Sequence, residues 1–325
     1  MLLKRIHIKN SNIRIVGMAI GNFDGIHLGH RFIINELKKL KSNKNDNIAI
    51  LTFNPHPVKL LRPKIWKKNL IKFRTKFRLL KHLGIDLIYQ IPFTVSFSQQ
   101  SARFFIEKVL IQYIKAENIL VGEDFRFGNK REGNIELLKE YANKNNFKLK
   151  YFKKKGTKES YYSSSSIRNF IISGDLINAK KSLGYYWEVE GKVTSGRAKG
   201  RELGYPTANI NYLYQISPAN GIYAGWAKIE GENIWREAAI SSGVRPHYSG
   251  KKKILEVHLL FFSGNLYEKR LRVAFIEKIR DEKKFKNENN LIRQMKKDCE
   301  YIKNILKKKY IKNDNVGNNG RFKKI

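Results

Sequence analysis

The sequence predicts an α/β domain followed by an all-β domain, and three observations carry that expectation. Over the first part of the chain, short apolar runs rich in β-branched residues alternate with stretches of helical period, the pattern of a parallel sheet wound with helices on both faces. Beyond Trp187 the rhythm changes to short strands separated by turn signals, which reads as a sandwich or barrel. The length, 325 residues, exceeds the usual size of one core. The expected division is 1–185 for the α/β domain, 186–312 for the β domain with its closing helix, and 313–325 as a frayed tail.

Element by element, residues 13–20 (IRIVGMAI) form a buried strand, and apolar residues at helical spacing between Leu28 and Leu40 form a helix. Strands follow at Asn47–Phe53, Leu87–Gln90 and Asn118–Val121, with helices at Lys76–Leu83 and Ala102–Leu110. In the second part the strand candidates are WEVEGKV, PTANINY, IYAGWAKI, REAAIS, ILEVHLLFF and RLRVAFIEKI, closed by a helix over Leu291–Lys308. There is no internal repeat.

Composition narrows the class. The net charge is +37, from 65 Lys and Arg against 28 Asp and Glu. Such an excess ordinarily suggests nucleic acid or a membrane surface. Here the lysines are dispersed along the chain in company with Asn and Ile, as A/T-rich coding would produce, with no basic stripe interleaved with aromatics. Nucleic acid is therefore not the expected partner. The single cysteine, Cys299, excludes an intramolecular disulfide and a cysteine-based zinc site. The charged N-terminus and the lack of a long apolar run point to a cytoplasmic protein with no membrane partner. Oligomeric state is not legible.

The stretch GNFDGIHLGH (Gly21, Asn22, Phe23, Asp24, Gly25 and on to His30) lies between the first strand and the first helix. At such a junction the first helical N–H groups are unpaired and the dipole is positive, so phosphate is the natural ligand. Glycines at 21, 25 and 29 let the backbone approach a nucleotide. His27 and His30, three residues apart on the first turn, share a face from which both can donate to one triphosphate.

With TFNPHP (52–57), VGEDFRFGNKREGN (121–134) and SSSSIR (163–168) in the same order, this stretch resembles the bifunctional bacterial riboflavin kinase/FMN adenylyltransferase family. The resemblance covers residues 1 to about 310. It implies a Rossmann-like HxGH nucleotidyltransferase domain followed by a riboflavin-kinase-like β-barrel. It also implies two reactions, phosphorylation of riboflavin to FMN by ATP, then adenylylation of FMN by ATP to FAD with release of pyrophosphate. By the resemblance, Mg²⁺ assists, His27 and His30 are catalytic, and residues 21–25, Asp124, Phe125, Arg126, Phe127, Gly128, Ser163, Ser164, Ser165 and Arg168 contact ATP or FMN. The family usually has Thr where this chain has Ser165, a change that keeps the hydroxyl.

In the second domain, Thr207 and Asn209 point to one face of a strand, two oxygen-bearing side chains that a nucleotide-bound Mg²⁺ can accept. Ordinary polar surface at a barrel corner is the other reading. Glu256 and His258 lie opposite the apolar face made by Leu255, Val257, Leu259 and Phe261. PTAN, EVHLL and RLRVAFIEKIRDEKKF resemble the riboflavin kinase module. This implies that Thr207 and Asn209 serve the metal, that Glu256 is the general base, and that Gly191, Gly196, Gly200, Gly204, Pro206 and Arg280 contact ATP or flavin. The family's Gly-Thr-(Asn/Arg)-Pro-Thr appears here as Gly243-Val244-Arg245-Pro246-His247, which replaces two hydroxyls and predicts a weaker kinase. Two other readings stand beside this one: an HxGH adenylyltransferase with a non-catalytic barrel, and a basic RNA-binding protein. Retained Thr207, Asn209 and Glu256 weigh against the first, dispersed charge against the second.

Overall fold

The computed structural model describes residues 1–5, 13–145, 147–156, 161–196, 199–244 and 253–308. Arg245, Pro246 and His247 and the tail 313–325 lie outside the described residues. Contacts divide the chain into two compact units, 1–68 with 76–163, and 69–75 with 164–325.

The first unit is built on a six-stranded parallel sheet of β1 (Leu2–Arg5), β2 (Ile15–Ile20), β3 (Asn47–Asn54), β4 (Leu87–Pro92), β5 (Asn118–Gly122) and β6 (Lys148–Phe152), in the order β1-β4-β3-β2-β5-β6. All six residues of β2 are buried, as an interior strand of a parallel sheet covered on both faces requires. Its helices are α1 (Leu28–Lys38), α2 (Pro57–Leu61), α3 (Phe73–His82, whose first three residues are grouped with the second unit), α4 (Val95–Ser98), α5 (Ala102–Phe104) and α6 (Ile135–Asn145). After α5 the chain runs on as a π-helix over Phe105–Ile114. The helix expected at Lys76–Leu83 starts three residues earlier, and β1 and β6 carry no alternation that singled them out.

The order of the sheet decides where chemistry can sit. β2 has β3 on one side and β5 on the other, a point at which the winding reverses. Ligands of open α/β sheets bind outside the carboxyl ends of the strands at such a point. The chain leaves β2 into GNFDGIHLGH, β3 into the PHP segment and β5 into GEDFRFG, so three of the motifs leave neighbouring strand ends.

The second unit is a closed antiparallel barrel of β7 (Glu188–Thr194), β8 (Ala208–Asn211), β9 (Gly221–Ile229), β10 (Trp235–Val244), β11 (Lys253–Leu259) and β12 (Arg270–Arg280), in the order β10-β11-β8-β7-β12-β9. Helices α7 (Ser164–Ser173), α8 (Leu176–Leu183), α9 (Lys199–Glu202) and α10 (Glu288–Lys308) belong to it. Ile302 and Leu306 of α10 pack on Trp226, Trp235 and Ile276. Residues 69–75 are part of this unit by specific bonds: the Leu70 carbonyl accepts from Trp187 Nε1 at 2.8 Å and from Gln215 Nε2 at 3.0 Å, and Arg74 Nε donates to buried Glu190 at 2.9 Å.

Register sorts the barrel's side chains. Buried Val257 lies opposite Ile240 and Ala208, and one step along, Ser241, Glu256, Asn209 and Thr194 form a continuous cross-strand row. Period 2 puts that row on the opposite face from the apolar one.

Gly191 is explained by packing. A Cβ there would lie 2.2 Å from the Asn211 carbonyl oxygen and 2.5 Å from Ile210 Cγ2, so β7 and β8 can meet only over a glycine. Gly191→Ala is expected to destabilise the barrel by about 1 to 3 kcal/mol, as overpacking does. Denaturation followed by Trp fluorescence measures it, and an unchanged midpoint would show that the strands can part without penalty.

Candidate active sites

In the first unit the site is a strained turn. Phe23, Gly25 and Ile26 have φ of 45°, 86° and 42°. Left-handed backbone is open to glycine but unfavourable for Phe and more so for β-branched Ile. Burial holds it, since Phe23 and Ile26 are 1% and 0% exposed. The chain then turns extended at His27, which caps α1: its Nδ1 accepts from the His30 N–H at 3.4 Å. The His27 and His30 rings stack with centroids 3.7 Å apart, and Gly29 gives His27 room, for a Cβ there would sit 3.2 Å from the ring.

This arrangement sets the charge state of His30. Burial, the stacked His27 and the ammonium of Lys76 all disfavour its protonation, holding its pKa well below the usual 6.5. His30 Nδ1 and Asn22 Oδ1 are buried without a hydrogen-bond partner, two polar atoms whose desolvation a bound ligand would relieve. Lys76, on α3, was not singled out from the sequence because it lies in no motif. Its Nζ donates to the Asn22 carbonyl at 2.7 Å, and burial lowers its pKa to about 8 against the pull of Asp24.

The loop after β5 divides into structural and exposed parts. Gly128, with φ 75°, faces Ala102 so closely that a Cβ would stand 2.5 Å from its amide nitrogen. Glu132 accepts from that N–H at 2.7 Å. Phe125 stacks on Phe127 at 5.3 Å, and Phe127 meets Phe105 at 5.4 Å. Phe53, Phe93 and Phe97 continue the aromatic series. Sequence reading missed these three, although Phe53 and Phe93 stand at the carboxyl ends of β3 and β4, where a ligand wall is expected. Asp124 is exposed and paired with Lys154 at 3.0 Å, and Arg126 is exposed. Ser163 closes the first unit directly after Tyr162, whose Cβ would lie 3.7 Å from a Cβ at Gly29. Ser164, Ser165 and Arg168 lie on α7, grouped with the second unit.

The second unit holds a cavity of about 360 Å³ in which Gly196, Gly200, Pro206, Thr207, Asn209, Glu256 and Arg280 all take part, with α10 contributing Met295, Asp298 and Cys299. That is a volume suited to a small ligand. Gly196 sits over the Asn209 amide and Gly200 beside the Tyr205 carbonyl, where a side chain would collide. His258 Nδ1 bonds the Pro206 carbonyl at 2.8 Å and so ties the segment before Thr207 to β11. Gly191 and Gly204 are not in the cavity wall. Arg280 is, but its guanidinium is held by Asp298 at 2.5–3.0 Å and by the Asp281 carbonyl at 2.8 Å. It therefore fixes α10 against β12 rather than presenting an open fork. Burial pushes the Cys299 thiol up to about 11, which keeps it protonated and unreactive.

An HxGH turn at the switch point of a parallel sheet, joined to a closed barrel with a cavity, has the architecture of a nucleotide-using transferase. The chain matches the FAD synthetase family over residues 9–166 and the riboflavin kinase family over residues 183–306. It is 39% identical over 305 residues to the bifunctional riboflavin kinase/FMN adenylyltransferase of Buchnera aphidicola subsp. Schizaphis graminum, covering 93% of this chain and 95% of that one. Similarity to the protein of the same name from Haemophilus influenzae is 32% over 302 residues, 93% of this chain and 98% of that one. The chain belongs to the bifunctional riboflavin kinase/FMN adenylyltransferase family. Among solved structures it resembles one titled "Crystal Structure of Macrolide-efflux Protein from Streptococcus pneumoniae", with a TM-score of 0.82, 28% identity, and coverage of 94% of this chain and 99% of that one. No described helix is long and apolar enough to cross a membrane.

The charge state of His30 is directly measurable. In a pH titration followed by imidazole NMR it is expected to stay neutral at pH 6, where an exposed histidine is mostly charged. A midpoint near 6.5 would contradict the buried, stacked geometry.

Proposed function

We propose that the two reactions of this transferase run at separate sites, one in each unit. The chain phosphorylates riboflavin to FMN and transfers AMP from ATP to FMN, giving FAD and pyrophosphate. The observation that carries the division is the pair of independent polar constellations, stacked His27 and His30 at a helix N-terminus and the Ser241–Glu256–Asn209–Thr194 row beside a cavity.

In adenylyl transfer an oxygen of the FMN phosphate attacks the α-phosphorus of ATP and pyrophosphate leaves. No protein nucleophile is needed. His27, His30 and the turn backbone hold the phosphates as charge develops, and Ser163 completes the nucleotide site within the first unit. The aromatic series from Phe53 to Phe127 suits a planar flavin ring.

In the kinase step Glu256 orients the ribityl hydroxyl and accepts its proton as oxygen bonds to the γ-phosphorus of ATP and the bond to the β–γ bridging oxygen breaks, releasing ADP. Antiparallel pairing puts its Cβ about 5 Å from those of Asn209 and Ser241. The donor set fits Mg²⁺: Thr207 and Asn209 offer neutral oxygens, and among the described residues no cluster of three His, Cys, Asp or Glu forms a protein cage. Mg²⁺ bound with ATP takes few protein ligands and several waters and phosphate oxygens. When bound it would screen the phosphate charge. ATP, riboflavin and FMN are the partners in this reading, without nucleic acid or membrane, and the place of action is the cytoplasm.

The test is incubation with riboflavin, ATP and Mg²⁺ followed by chromatography of the flavins. Glu256→Ala is expected to slow FMN formation by about 10²- to 10⁴-fold while FAD still forms from supplied FMN. His30→Ala is expected to do the reverse, slowing FAD formation by about 10²- to 10³-fold. Loss of both activities in either folded variant would refute the assignment of one site to each unit.

A further inference from the structure

Lys76 belongs to none of the motifs, yet its side chain runs to the centre of the first site. Its Nζ donates to the Asn22 carbonyl at 2.7 Å and to Thr52 Oγ1 at 3.4 Å. The Thr52 hydroxyl donates in turn to the same carbonyl at 3.2 Å. The Asn22 carbonyl is thus the common acceptor of a lysine from α3 and a threonine from β3.

That carbonyl is the last point before the backbone becomes left-handed at Phe23. Behind it, the Gly21 N–H is fixed to the Leu51 carbonyl at 3.0 Å. The peptide linking residues 22 and 23 is therefore anchored from two elements. The ammonium lies near enough to both Asp24 and His30 to act electrostatically on each. Its third N–H has no acceptor among the described protein groups.

We propose that Lys76 is a positioning residue for adenylyl transfer, anchoring the Asn22 peptide so that the turn presents His27 and His30, and keeping a positive charge beneath the phosphate site. The proposal rests on the reading of this turn as the adenylyl-transfer site. Thr52 alone can hold the carbonyl but cannot supply charge. A methionine at 76 fills the space and can do neither.

The experiment uses the full chain with FMN, ATP and Mg²⁺ for the second step and with riboflavin, ATP and Mg²⁺ for the first. Lys76→Met is expected to lower kcat for FAD formation by about 10- to 100-fold, the loss of one charge-assisted bond. KM for FMN changes much less, and riboflavin phosphorylation is unaffected. Lys76→Arg keeps the charge and recovers part of kcat. Loss of kinase activity alongside, or equal kcat for the Met and Arg variants, would overturn the proposal, since a purely structural lysine predicts either. His30→Ala, run in parallel, separates the two ideas. A wild-type rate in Lys76→Met beside an inactive His30→Ala removes the role of Lys76 alone. A fully active His30→Ala removes the reading of the turn and this inference with it.

Discussion

The first site depends on a backbone constraint, the left-handed conformation of two non-glycine residues in the turn after β2. Each such residue costs on the order of 1 to 3 kcal/mol. Burying the side chains of Phe23 and Ile26 contributes about 1.5 to 3 kcal/mol each, enough to offset the strain. The turn is therefore stable only because its apolar side chains point into the core. Its polar groups, the His27 and His30 imidazoles and the Asn22 amide, are what remains at the carboxyl edge of the sheet. A more polar turn would relax, and a less strained one would not stack two imidazoles at the start of α1.

In the second unit the equivalent constraint is barrel closure. A closed antiparallel sheet has an apolar side and an outer side, and register alone decides which residues share a row. Once Val257 is buried opposite Ile240 and Ala208, Glu256 must stand between Ser241 and Asn209. The Arg280–Asp298 pair then fixes α10, so that Met295 and Cys299 wall the cavity. Arg280, read from resemblance as a ligand contact, thus also holds the wall in place.

Much of this was legible in the sequence, for physical reasons that differ from element to element. β2 and the middle of β3 (48–51) are apolar runs, and the strand-glycine-helix order of GNFDGIHLGH permits few structures. In the barrel LEVHL alternates clearly, but the strand ends at Leu259, short of the expected Phe262, with Leu260 buried and Phe261 exposed. β6, by contrast, reads KLKYF, an edge strand whose exposed lysines hide its period. The glycines of GKVTSGRAKGRELG could not be sorted by inspection, because the group that Gly191 approaches, the Asn211 carbonyl, is brought there only by register. Lys76 escaped for a similar reason: nothing local distinguishes it from Lys81, the other lysine of α3, and its meaning comes from Asn22, far away in the chain.

In the proposed division the two sites face different acceptors, and the chemistry of each accounts for the side chains assigned to it. The acceptor in adenylyl transfer is a phosphate monoester, with a second pKa near 6, so it is already an anionic nucleophile at neutral pH. No base is required there, and a carboxylate facing the reacting phosphates would repel both substrates. In that reading the site gathers hydrogen-bond donors and a cation, His27, His30 and Lys76, with Asp24 near enough to act electrostatically on the lysine. The acceptor in the kinase step is a neutral alcohol that must lose a proton as it bonds to phosphorus. A carboxylate is suited to that site, and Glu256 stands in its row between neutral Ser241 and Asn209. Under the proposed division one chain supplies two unlike environments for two transfers from the same nucleotide.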